Sequence, residues 1–287
     1  MTATEQETPP RAGSLSPSRA ADFKTCPLLY RFRSVDKIPQ RPTRDKARGT
    51  LVHAVLDRLF DLPAAGRTYE AAAALVEPEW AVLAAAEPDT GALFADGGLE
   101  EWLDSARRMV AGYFALEDPR RLEPAAREQL VEATLDLADG GGGLALRGYV
   151  DRLDVAPTGE VRVVDYKTGA IPRAAYEAKA LFQLKFYALV LWRTQGTVPR
   201  QLKLMYLSDR DTLAYQPDAA ELERFERTLV AVWRAIERAV VTKDFRANPS
   251  RLCGWCDYQP LCPSHGGTLP PFPEPTATVL PLADPPA

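Results

Sequence analysis

The sequence predicts an α/β chain: a central mixed β-sheet flanked by helices, behind an N-terminal helical region. Three observations predict it. Apolar residues recur at helical spacing through the first 117 residues, then alternate from Glu128 to Lys167, then return to helical spacing on either side of one further strand. The chain has 287 residues, 46% hydrophobic and 26% charged, enough for one large domain or two small ones. No apolar run is long enough to span a bilayer, and the opening MTATEQETPPRAG lacks the apolar stretch of a signal peptide. A cytoplasmic protein with no membrane partner is expected.

Residues 1–15 are polar and Pro-containing and read as disordered; the Pro-rich stretch 266–287 reads as a disordered tail. The folded body is expected over 16–265. Ser16 and Pro17 read as the N-cap and first position of a helix that carries Phe23 and ends near Cys26. Leu51, Val52, Val55, Leu56 and Leu59 mark a second helix, from Arg48 to Phe60. Two more, at 68–87 and 99–117, form a helical insertion over about residues 61–120. From Glu128 the alternating runs EQLVEATLDLA, LALRGYVDRLDV and EVRVVDYKT, set apart by Gly140–Gly143 and Ala156–Gly159, read as an antiparallel meander. A helix over Ala174–Trp192, a strand over Gln201–Leu207 and a helix over Ala220–Val241 complete the chain.

Asp165 and Lys167 are two apart on a strand, so both side chains leave one face. Asp151 lies on the preceding strand. A loop running Ala156 to Glu160 puts Asp151 opposite Asp165; a loop one residue shorter puts them on opposite faces. Two carboxylates at one spot repel unless a cation joins them, and oxygen ligands of this type suit Mg²⁺ or Mn²⁺. A lysine beside such an ion can stabilise negative charge developing on a phosphate. The competing reading is a surface hairpin with an Asp–Lys pair, against which stand the apolar flanks of both strands.

This arrangement resembles the PD-(D/E)XK nuclease superfamily, with Asp151 at the first acid position and Asp165-Tyr166-Lys167 as the D-x-K element. Val150 stands where the proline of that name would be. Arg48-Gly49-Thr50-Leu51-Val52-His53 is similar to the RGxxxH segment of the RecB-like branch. Gln183 and Tyr187 are similar to its QxxxY element. The resemblance implies a restriction-endonuclease-like core. It implies divalent-metal ligation by Asp151, Asp165, the Tyr166 carbonyl and His53, with Gln183 and Tyr187 orienting Lys167 or touching DNA. It also implies an upstream acid, for which Glu132 fits best and Glu128 competes.

All four cysteines remain to be placed: Cys26, and Cys253, Cys256 and Cys262 in CGWCDYQPLC. In a reducing compartment they are metal ligands rather than disulfides. Their number and order resemble the iron–sulfur staple of AddB-type and CRISPR-associated RecB-like nucleases. The resemblance implies a [4Fe–4S] cluster joining the two ends of the domain, with Zn²⁺ as the alternative.

Net charge is −4, yet from Arg19 to Arg48 nine cations face three acids. This local strip, including Arg31, Arg33, Arg44 and Arg48, either binds a phosphate backbone or is a solvated face. The expected activity is a metal-dependent deoxyribonuclease, an exonuclease on single-stranded DNA or duplex ends in repair or recombination. The alternative is a non-catalytic DNA-binding or helicase-partner subunit of the same fold. No GxxxxGK[ST] run is present, so strand separation would need a helicase partner.

Overall fold

The structure, a computed structural model, describes residues 14–137, 142–170 and 174–273, with backbone only at 174–179. The described residues fall into two compact units. One comprises 14–40, 133–137, 142–147 and 227–273; the other comprises 41–132, 148–170 and 174–226.

In the first unit, α1 (Pro17–Thr25) starts where Ser16 caps it: the Ser16 hydroxyl accepts from the Arg19 amide at 3.3 Å, and Pro17 needs no amide partner. Cys26 is extended and ends α1, but the chain does not leave the helical region there. A second helix, α2 (Pro27–Tyr30), begins at once and runs into a π-turn over Arg31–Val35.

Two boundary expectations are corrected here. Leu15 is fully buried; its amide donates to Ala145 O at 2.8 Å and its carbonyl accepts from Arg147 N at 3.0 Å. At the other end, Arg31 donates to the Pro270 carbonyl at 2.6 Å and lies over the Phe272 ring, which stacks on Phe245. One apolar anchor in each segment, Leu15 or Phe272, fixes a stretch whose composition reads as disordered. The rest of those readings, over 1–13 and 274–287, lies outside the described residues, as do Gly140 and Gly141 of the glycine run.

In the second unit, α3 (Arg44–Leu59), α4 (Tyr69–Ala86) and α6 (Leu99–Leu116) share one apolar core, with the single turn α5 (Pro88–Gly91) between α4 and α6. Trp80, Phe94 and Trp102 sit in its middle with ring centroids 4.7–5.2 Å apart. Helix α3 starts four residues before the expected Arg48, because Thr43 caps it by accepting from the Lys46 amide.

The sheet is five-stranded and mixed, in the order β1 (Ala126–Asp136), β2 (Gly143–Val155), β3 (Val161–Lys167), β4 (Gln201–Tyr206), β5 (Asp211–Tyr215). Helix α7 (Ala174–Gln195) crosses over between β3 and β4, packs on both, and makes that one pair parallel. Helix α8 (Ala219–Thr242) follows β5. This mixed sheet flanked by helices, behind an N-terminal helical region, is the restriction-endonuclease-like fold expected.

Strand β5 escapes the sequence pattern: DTLAY has no fully buried side chain, as an edge strand allows. The β2–β3 register is the decisive one. Arg152 pairs with Val164 and Val155 with Val161, and Ala156 N donates to Glu160 O across the loop. Gly159 takes φ +85°, a left-handed turn position that suits glycine. Counting one step past Arg152–Val164 sets Asp151 across from Asp165, as the longer loop requires.

Candidate active site

Where the β2–β3 ladder ends, the backbone gives way to side chains. The Tyr166 amide donates to Asp151 Oδ2 at 2.7 Å, and the Tyr166 carbonyl lies 3.0 Å from His53 Nε2. A carbonyl can only accept, so Nε2–H is the donor of this bond and Nδ1 is turned the other way. Nδ1 faces Asp151 Oδ2 at 3.6 Å and Glu128 Oε1 at 3.9 Å. His53 reaches this point from α3, which passes close to the end of β3. A methyl group on Gly49 would come within 3.3 Å of the Thr168 hydroxyl.

The Tyr166 side chain leaves the opposite face of β3. There its hydroxyl accepts from Arg152 at 2.9 Å, and Arg152 pairs with Glu117 at 2.7 Å. Arg152 is 1% exposed, so a buried charged layer pins the hairpin from behind while Asp151 and Asp165 face the site.

His53, Glu128 and Asp151 each bring a ligand atom within 4.8 Å of the other two, the one such group among the described residues. Its electrostatics are those of a site short of positive charge. Burial, then the Asp151 charge, hold Glu128 up at about 7 against the relief from His53. Burial likewise lifts Asp151 to about 6; Asp165 adds to the lift, while His53, Lys167 and the Tyr166 amide oppose it. Carboxylates held this high are poised to exchange protons for a cation, and three ligands of oxygen and imidazole type fit a hard divalent ion.

Asp165 is 1% exposed and forms an ion pair with Lys167 at 2.6 Å. Lys167 Nζ also donates to Gln183 Oε1 at 2.8 Å, and Gln183 Nε2 donates to the Tyr187 hydroxyl at 3.0 Å. Gln183 and Tyr187 are one helical turn apart on α7, so the pair reaches β3 as a unit. Burial would lower the Lys167 pKa, but Asp165 and Asp151 outweigh it and hold the ammonium above its usual range. Lys167 is therefore a fixed cation.

The structure makes two corrections to the predicted site residues. Glu128, not Glu132, joins His53 and Asp151; Glu132 lies four residues further along β1 and is exposed. Glu128 has φ +42°, uncommon for a residue with a side chain, and that twist breaks the alternation from which its direction would be counted. The upstream glutamate was visible in the sequence; the backbone that aims it was not.

The second correction concerns the arginines. Arg31 is 5% exposed and held by Asp36 at 3.0 Å. Arg33 pairs with Asp22 at 2.7 Å, and Arg48 with Asp45 at 2.6 Å. Arg44 is exposed, yet it donates to the Leu93 and Gly97 carbonyls and lies over the Phe94 ring. All four guanidinium groups are engaged by the protein itself, so they are not a strip of free cations.

Within the first unit, Cys26, Cys253, Cys256 and Cys262 line one cavity with Leu28, Leu29 and Phe32. Backbone amides aim at two of the sulfurs: Asn248 N lies 3.3 Å from Cys26 Sγ, and Ser250 N lies 3.3 Å from Cys253 Sγ. Burial and the neighbouring Cys253, Cys26 and Cys262 raise the Cys256 thiol. No three of the sulfurs lie within 4.8 Å of one another.

Known proteins share this architecture. The chain is 26% identical over 276 residues to the Gene 69 protein of Mycobacterium phage D29, covering 86% of this chain and 96% of the relative. It is 24% identical over 291 residues to the Gene 69 protein of Mycobacterium phage L5, covering 86% and 95%. A crystal structure from Eubacterium rectale, provisionally described as an exonuclease, superposes with a TM-score of 0.51 at 12% identity over 90% of this chain and 91% of that one. The sequence profile of the PD-(D/E)XK nucleases matches residues 14–263, a span that takes in His53, Glu128, the β2–β3 hairpin and all four cysteines. The chain belongs to the PD-(D/E)XK nuclease superfamily.

Proposed function

We propose that this protein is a divalent-metal-dependent deoxyribonuclease, an exonuclease on single-stranded DNA or duplex ends. The observation that carries the reading is the convergence of His53, Glu128 and Asp151 beside the Asp165–Lys167 pair. Asp151, Glu128 and His53 would hold Mg²⁺ or Mn²⁺, with Asp165 and the Tyr166 carbonyl at its edge. When bound, the ion supplies charge neutralisation at the phosphate and acidifies a water. Lys167, kept cationic by Asp165 and anchored through Gln183 and Tyr187, stabilises the negative charge that builds on the phosphodiester. His53 donates from Nε2 to the Tyr166 carbonyl, which leaves Nδ1 turned toward Asp151 and Glu128. A role in repair or recombination, with a helicase partner supplying the single strand, fits a chain that has no nucleotide-binding loop of its own.

The same reading gives the cysteines a [4Fe–4S] cluster. A single tetrahedral zinc holds its sulfurs about 3.8 Å apart, closer than any three of these thiols stand together. A cubane spreads its ligands over four separate iron corners. Two amide donors on the sulfurs and an apolar wall suit thiolates bound to such a cluster. Anaerobic purification with iron and sulfide analysis tests this part: brown protein with iron and sulfide in equal amounts supports it, and stoichiometric zinc overturns it.

The nuclease is tested by digesting end-labelled single- and double-stranded DNA with Mn²⁺, Mg²⁺ or EDTA, beside Lys167→Ala. Cleavage is expected only with the metals and is expected to fall about a hundredfold or more in the variant, which still binds DNA. Full activity in Lys167→Ala would sink the mechanism.

A further inference from the structure

Tyr149 stands two residues before Asp151 on β2. Residues two apart on a strand share a face, so Tyr149 is presented on the side that carries Asp151. The opposite face is closed: Val150 and Arg152 are 0% and 1% exposed, whereas Tyr149 is 41% exposed. The Tyr149 side chain makes no hydrogen bond and no ring contact among the described residues.

We propose that Tyr149 is a base-stacking platform, taking on its ring the nucleobase next to the phosphate that Lys167 engages beside the metal ligand Asp151. The proposal rests on the nuclease reading and narrows its substrate to unpaired DNA. Two strand residues span about 6.6 Å, the scale on which a nucleotide separates its phosphate from its base. An aromatic face accepts any base, so it gives grip without sequence choice. A base in a duplex is already paired and stacked on its neighbours, so the ring can serve only an unpaired end.

The test is steady-state cleavage with Mn²⁺ of a short single-stranded oligonucleotide and of a hairpin duplex of the same sequence. The enzymes compared are the wild type, Tyr149→Ala and Tyr149→Phe. Tyr149→Ala is expected to raise KM on the single strand roughly ten- to hundredfold, with the change confined to KM. Tyr149→Phe, which keeps the ring and loses the hydroxyl, is expected to restore it. An abasic nucleotide at the stacked position should cost the wild type as much, and cost Tyr149→Ala nothing more. Wild-type KM in Tyr149→Ala, or abasic and alanine penalties that multiply, overturns the platform while leaving the nuclease intact. A wild type that cuts neither substrate overturns both.

Discussion

Two carboxylates carry most of the site's chemistry, and their protonation gives a test that needs no substrate. Glu128 is held at about 7 rather than the usual 4.5, and Asp151 at about 6 rather than 3.8. Both folded values are raised, so the metal-free protein draws stability from these protons at low pH. That stability is lost as pH rises through 6 and 7. A cation favours the ionised forms and reverses the loss. The thermal shift given by saturating Mn²⁺ should therefore be larger at pH 8 than at pH 5.5; an equal shift at both would mean the ion binds elsewhere. Glutamate choice gives a second test. Glu128→Gln should weaken Mn²⁺ binding about tenfold or more, measured by titration calorimetry, while Glu132→Gln leaves it unchanged.

At the scale of elements, the site depends on how closely helices approach the ends of strands. Gly112 on α6 lies against Leu207, where an added Cβ would overlap the carbonyl oxygen. The Leu207 amide in turn donates to the Lys167 carbonyl at 2.9 Å. Alanine normally gains about 1 kcal/mol over glycine inside a helix. Here the overlap is with backbone, which cannot rotate away, so Gly112→Ala should instead lose about 1–3 kcal/mol. Urea denaturation would read the loss, and an unchanged midpoint would mean that α6 simply shifts. The hairpin is built in the same way from both sides. Asp151 and Asp165 face the site, while Arg152, Glu117 and the Tyr166 hydroxyl lock the reverse face.

For the molecule as a whole, the proposed cysteine site would join two segments far apart in the chain. Cys26 follows α1, while Cys253, Cys256 and Cys262 lie in the turns beyond α8, all within one unit. Asn248 ties the same segments by donating from its side chain to the Thr25 carbonyl at 2.9 Å, and Tyr258 donates to Ile38 O at 2.9 Å. A group bound by all four thiols adds its binding energy to folding. Cys26→Ser, or removal of the bound metal by chelation, should each lower the melting temperature by on the order of 10 °C. The two together should do no more than either alone. Additive losses in differential scanning calorimetry would show that Cys26 acts outside the shared site.

Spacing along the chain was enough for the local chemistry. Asp165 and Lys167 share a face because a strand repeats every two residues, and Gln183 meets Tyr187 because a helix brings i and i+4 together. The alternation of helix and strand periods gave the fold class, while the loop between β2 and β3 stayed a choice of two lengths that only the observed register settled. Tertiary structure alone decided four further things: the aim of Glu128, the engagement of Arg31, Arg33, Arg44 and Arg48, the anchoring of Leu15 and Phe272, and the edge strand β5. The physical reason is common to them. Period and propensity are properties of neighbours in sequence, whereas a left-handed residue, an ion-pair partner or a buried anchor is selected by groups that only packing brings near.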